Sequence, residues 1–133
     1  MMESEPLVGR AEIERIQSLG ERELDQLPFG AIRLDADGTI LSYNQTEASL
    51  AGRRKEKVLG KNFFTEVAPC TNVQEFAGKF REGVAQGNLH TTFPYIFDFE
   101  MEPRNVWVTL FYSRETQSAW VFVRDDSRIS RMD

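Results

Sequence analysis

The order of its elements constrains this chain more than any single residue does. Residues 10–19 set Ile13, Ile16 and Leu19 about one helical turn apart, and Gly20 is placed to stop that run as a C-terminal glycine. Residues 21–27 predict a further turn or two before Pro28. Residues 29–34 read as a strand, Asp37-Gly38 as a hairpin turn, and residues 39–44 as the returning strand. Residues 45–61 break into short helical pieces at Gly52 and Gly60. Residues 74–86 read as one helix, because Phe76, Phe80 and Val84 recur every four residues and Gly87 ends it. Residues 89–100, 105–113 and 118–124 read as three strands, and Pro94 marks the first of them as an edge. The result is an α+β body behind a short helical lead.

Composition bounds what such a body can do. The chain has 133 residues, the size of one domain, and 41% of them are apolar, enough for one core. A formal charge of −5 with no basic cluster argues against nucleic acid as a partner. No run of about 18 apolar residues is present, so no membrane helix is expected. The first nine residues lack the basic and apolar stretches of a secretory leader. Cys70 is the only cysteine, and a single unpaired thiol fits a reducing, cytoplasmic setting.

Cys70 also carries the first chemical signal. It follows Pro69, which fixes φ and has no N–H to give, so the thiol is expected at a defined position in a stiff loop. A lone cysteine is either a small buried hydrophobe or a reagent. The second signal is Tyr43 and Glu47, four residues apart across a strand-to-helix junction, which lets a phenol and a carboxyl group converge. Taken singly, each also fits a plain structural role: a core tyrosine with its hydroxyl at the rim, and a solvated helical glutamate.

The element order resembles a PAS domain, which implies a five-stranded antiparallel sheet with helices over one face and a pocket between them. More narrowly, the chain resembles the photoactive yellow proteins. The stretches that carry the resemblance are Phe29-Gly30-Ala31-Ile32, Tyr43-Asn44, Gly60-Lys61-Asn62-Phe63-Phe64, Val67-Ala68-Pro69-Cys70-Thr71, Gly83-Val84-Ala85, Gly87-Asn88-Leu89, Phe97-Asp98 with Met101, and Trp120-Val121-Phe122-Val123. The resemblance implies a blue-light receptor carrying p-coumaric (4-hydroxycinnamic) acid as a thioester. By position, Cys70 matches the attachment thiol, and Tyr43 and Glu47 the two groups that bond the phenolate oxygen. Arg53 matches an arginine covering the pocket, and Phe63, Phe97 and Met101 its apolar wall.

These residue types suit that task. A phenol ionises near pH 10, and burial of its anion is opposed unless donors meet it. Tyrosine is one donor, and a glutamate is the second only while protonated. An apolar pocket and a nearby phenolate both favour the protonated carboxyl. Light would isomerise the double bond and let Glu47 give up its proton. The buried carboxylate left behind would then drive partial unfolding as the signal.

The sequence also departs from the family. Ala51 stands where a threonine commonly supports the tyrosine, Ala48 and Ser49 where Gly and Asp are common, and Phe99 where Tyr is common. His90, the sole histidine, reads as a surface residue, and Trp107 and Trp120 read as strand core. One domain is expected, with a helical cap over 1–27, a PAS core over 28–124 and a flexible tail over 125–133. The partner would be an unidentified signalling protein, and the chain a monomer or weak dimer. Two alternatives remain open. One is a PAS module that senses another ligand or mediates dimerisation without a covalent dye. The other, a cysteine-dependent acyl transferase, lacks a histidine near Cys70 in the sequence, so no enzymatic role is expected.

Overall fold

The protein is represented by a computed structural model that describes residues 8–97 and 103–125. Helices α1 (Arg10–Ile16) and α2 (Glu21–Leu24) lead into the hairpin β1 (Gly30–Leu34) and β2 (Ile40–Tyr43). Then come α3 (Gln45–Ala51), α4 (Lys55–Val58) and α5 (Lys79–Gln86), followed by β3 (Asn88–Phe97), β4 (Arg104–Ser113) and β5 (Ser118–Asp125). The five strands form one sheet in the order β2-β1-β5-β4-β3, with every neighbouring pair antiparallel. This is the expected architecture. Within the sheet β3 is an outer strand, bonded to β4 alone, so Pro94 opposite Trp107 sits where a missing N–H costs least.

Local chemistry sets the turns. In the β1–β2 hairpin the Asp35 carboxylate accepts from the N–H groups of Asp37 and Thr39, both at 2.9 Å. Gly38 takes φ +95°, and a Cβ there would lie 2.9 Å from the Phe64 ring, so the position suits glycine on two counts. Gly87 ends α5 in the left-handed region, as its place in the sequence suggests.

Three boundaries differ from the sequence reading. Gly20 does not close α1 in a left-handed conformation; it lies at φ −82° and starts α2, its N–H donating to the Glu23 carboxylate at 2.8 Å. The helix expected over 74–86 begins as a wide π-helical turn, Gln74–Gly78, before narrowing into α5. Strand β4 starts one residue early, at Arg104.

The sheet has a core on each face. On one, Ile32, Leu34, Ile40, Val108, Leu110, Val121 and Val123 pack against Phe63, Phe64, Phe76 and Phe80 from the helical side. On the other, Val8, Ile13, Ile16 and Leu24 cover Phe29, Phe111, Trp120 and Phe122. Alternation along β1 and β5 produces both: Ile32 and Val121 point one way, Ala31 and Phe122 the other. The N-terminal helices therefore close the back of the sheet.

Asn44 ties the two sides together. Its Nδ2 donates to the carbonyls of Leu24 and Phe29 at 2.8 and 3.0 Å. Its Oδ1 accepts from the N–H groups of Ala31 and Glu47 at 3.0 and 3.1 Å, the second of these capping α3.

Candidate functional site

Tyr43 ends β2, Asn44 caps the next helix, and Glu47 falls in its first turn, so the four-residue spacing places both side chains in the same core. Glu47 is 2% exposed. It can lie flat on β1 because residue 30 is glycine: a Cβ there would collide with Glu47 Oε1 and come within 3.0 Å of its Cβ.

The Glu47 carboxylate meets a guanidinium. Arg104, at the start of β4, donates through Nη1 to Oε2 at 3.0 Å and through Nη2 to Oε1 at 3.1 Å. Its Nε donates to Asp125 on β5 at 2.8 Å. The surroundings expected for Glu47 were apolar; they hold this paired fork instead, the strongest geometry for holding a carboxylate. Burial raises the Glu47 pKa, Arg104 pulls it back through bond and charge, and Asp125 adds to the rise; the net direction is upward. Burial works against the Arg104 cation, but its bonds to Glu47 and Asp125 outweigh burial and raise its pKa. Burial and the Glu47 charge hold the Tyr43 hydroxyl well above its ordinary range, against the pull of Arg53 and Arg104. The Tyr43 hydroxyl therefore keeps its proton and can act only as a hydrogen-bonding group.

Cys70 sits in a tight 3-10 turn, Pro69–Thr71, half-buried against the same core that holds Tyr43. The turn is fixed by Thr71, whose N–H and hydroxyl both donate to the Ala68 carbonyl, at 2.9 and 2.7 Å. Tyr95 Oη donates to the Cys70 carbonyl at 2.6 Å. Before the turn, the π-helical segment Phe63–Val67 is capped by Asn62, which accepts from Phe64 and Thr65. An aromatic wall then runs from this segment to β3: Phe63 to Phe76 at 6.0 Å between ring centres, Phe76 to Tyr95 at 5.2 Å, and Tyr95 to Phe97 at 6.0 Å. Arg104 lies 5.7 Å from the Phe97 ring, which joins the wall to the Glu47 end.

Of the residues singled out from sequence, Cys70, Tyr43, Phe63 and Phe97 thus share one core, and Glu47 is buried beside it. Arg53 is exposed and donates to the Val67 carbonyl at 2.8 Å, spanning from the end of α3 to the segment before Cys70. Met101 and Phe99 lie outside the described residues, as does most of the tail. His90 faces the other side of the sheet: its Nε2 is 3.0 Å from the Val8 carbonyl and its ring meets Phe111 edge-on. It gives Cys70 no base. Trp120 is core as expected, and Trp107 is half-buried.

Four residues of the site escaped the sequence reading. Arg104 was placed in a loop, although Arg104, Val106, Val108 and Leu110 alternate as one buried face of β4. Tyr95 shares the period-2 row Phe93, Tyr95, Phe97 on β3, a signal that was available. Phe76 was read only as part of a helical stripe. Gly30 announced itself only as part of a motif.

Comparison with known proteins narrows the reading. A family model described as the PAS fold matches residues 18–125. The photoactive yellow protein of Rhodothalassium salexigens is 47% identical over 117 residues, which is 87% of this chain and 94% of that protein. That of Halochromatium salexigens is 48% identical over the same shares. Among solved structures, the photoactive yellow protein domain of the sensor histidine kinase Ppr from Rhodospirillum centenum superposes with a TM-score of 0.80 at 46% identity, covering 84% of this chain and 98% of that domain.

Proposed function

The chain belongs to the photoactive yellow protein family, within the PAS fold, and on that premise we propose that it is a blue-light receptor carrying p-coumaric acid as a thioester on Cys70. The observation that carries the reading is the burial of Tyr43 and Glu47 beside the core against which the Cys70 turn packs. The residues present fit the group. A half-buried thiol on a rigid turn suits acylation, an aromatic wall suits a flat conjugated ring, and two buried oxygen groups suit its phenolate.

When bound, the group supplies visible absorption and a light-driven trans-to-cis isomerisation. Every other task falls to the protein. Cys70 fixes one end, and the Pro69–Thr71 turn removes its freedom to swing. Tyr43 holds a proton it does not lose, so it serves as a constant donor. Glu47, whose pKa burial raises, holds a proton at a carboxyl oxygen in the dark and gives it up after light. Phe63 and Phe97 exclude water, and Arg53 closes the pocket from outside. The loss of that proton leaves a carboxylate out of water, a cost that pairing with Arg104 only partly offsets; partial unfolding follows, and a signalling partner reads it. The reading is sensory rather than catalytic, and the site of action is cytoplasmic. Among the described residues no helix is long and apolar enough to cross a membrane.

The test is chemical. Protein incubated with an activated ester of p-coumarate should turn yellow and gain one p-coumaroyl group by intact mass. Cys70→Ala should remain colourless while folding normally. A colourless wild type, or a Cys70→Ala protein that keeps dye through denaturation, overturns the proposal.

A further inference from the structure

We propose that Arg104 is a built-in counter-ion for Glu47: it positions the carboxyl group and receives its charge when the proton leaves. This rests in part on the photoreceptor reading, which supplies the occasion for Glu47 to ionise, but the pairing belongs to the chain without dye.

Three observations carry it. The contact is bidentate, at 3.0 and 3.1 Å, and each oxygen of Glu47 has its own N–H donor. Both side chains are buried, Arg104 to 9% and Glu47 to 2% exposure, so water cannot substitute for either. The guanidinium is itself anchored, by Asp125 through Nε and against the Phe97 ring. Arginine cannot give up its proton. Glu47 is thus the member of the pair that changes charge.

Among the described residues, the groups facing Glu47 are few. Gly30 on β1 offers only backbone, Tyr43 on β2 a neutral hydroxyl, Arg104 on β4 the cation, and Asp125 on β5 an anion behind that cation. Arg53 acts on Tyr43 from the end of α3. When the proton departs, its bonding electrons stay on the carboxylate, and the new negative charge lies within hydrogen-bond reach of a positive one. The charge is then paired within the fold. Arg104 therefore sets how readily Glu47 ionises, and Asp125 tempers Arg104.

This makes two predictions of opposite sign. Carbon-13 resonances of the Glu carboxyl groups, with Glu47 identified by its absence in Glu47→Gln, report its titration in the dye-free chain. Arg104→Met should raise the Glu47 midpoint by about 1–3 pH units, the usual effect of an adjacent cation on a carboxylate. Arg104→Lys, which keeps a cation but loses the fork, should raise it less. Asp125→Asn should lower it, because a competing anion is gone. General loosening of the fold would move the Arg104 and Asp125 variants in the same direction. An unchanged midpoint in Arg104→Met, or a rise in Asp125→Asn, overturns the proposal. If Arg104→Met does not fold, Arg104→Lys and Asp125→Asn decide the matter by their opposite signs. No dye is present in these measurements, so failure to load p-coumarate would count against the photoreceptor reading and leave the Arg104 result standing.

Discussion

The two faces of the sheet are built from the same strands and differ in what they bury. The face under α1 and α2 is closed by apolar side chains: Ile13 and Ile16 are almost fully buried against Phe29, Trp120 and Phe122, with Trp120 stacked on Phe122 at 5.4 Å. The face under α3 to α5 buries Glu47 and Arg104 beside its phenylalanines. Apolar burial stabilises at roughly 25 cal/mol per Å² removed from water, whereas a buried ion pair returns little net stability because both charges lose their hydration. The back face therefore carries stability with little chemistry, and the site face, whose apolar core is the larger, also carries chemistry whose buried charges return little stability.

Four substitutions would break or sharpen that contrast. Trp120→Ala should have the largest effect on stability, about 3–5 kcal/mol as for other large-to-small changes in a core. Urea denaturation measures it. The visible band of loaded protein should hardly move; a shift as large as that of Glu47→Gln would end the division of labour. Asn44→Ala, at the joint between the faces, should cost about 1–3 kcal/mol, because its buried backbone partners lose their bonds. It should also loosen both sides at once, with faster hydrogen exchange in α1 and α3 alike. Protection lost in α3 alone would mean the faces are independent.

The third prediction concerns pH. Burial places the folded Glu47 pKa above its unfolded value, near 4.5. Between those two values the native state binds a proton that the unfolded chain does not. The contribution to stability is thus complete below the unfolded pKa and is lost as pH rises through the folded one. The denaturation midpoint of dye-free protein should fall across that window, and Glu47→Gln should remove this part of the fall. A slope that is equal in both proteins would show that Glu47 is not its source. The smallest effect is expected from Ala51→Thr, at the end of α3. One added hydroxyl that bonds Tyr43, as the family resemblance implies, would contribute roughly 0.5–1.5 kcal/mol, enough to lower the pH at which loaded dye protonates by up to about one unit. Identical titrations of the visible band would mean that the hydroxyl finds no partner there.

What the sequence revealed follows the range of the interaction. Asp37-Gly38, Gly87 and Pro94 act within a few residues, and the structure uses each as its local chemistry suggests. Tyr43 and Glu47 are readable as a pair because one helical turn separates them. Gly20 misled, since a glycine can begin a helix as well as end one, and φ decides between them. Arg104 was hidden for a different reason: its partner lies 57 residues earlier in the chain, and nothing local to either residue announces the pairing. The surface that receives the lead helices was hidden in the same way. Their apolar stripe is short, but Trp120 and Phe122, about a hundred residues later, complete the surface it buries.

Asn44 uses everything its side chain has. Both amide hydrogens are donated and the oxygen accepts twice, across four bonds of 2.8 to 3.1 Å. Because an amide is flat and stiff, those four bonds are not independent levers. A shift of the first turn of α3 that carries the Glu47 N–H off Oδ1 tilts the whole plane, and the same tilt swings Nδ2 away from Leu24 and Phe29. Aspartate has no hydrogens to offer the two carbonyls, and alanine has no plane. Position 44 thus joins the first turn of the site helix to the end of α2 and to the entry of β1 through one rigid plane.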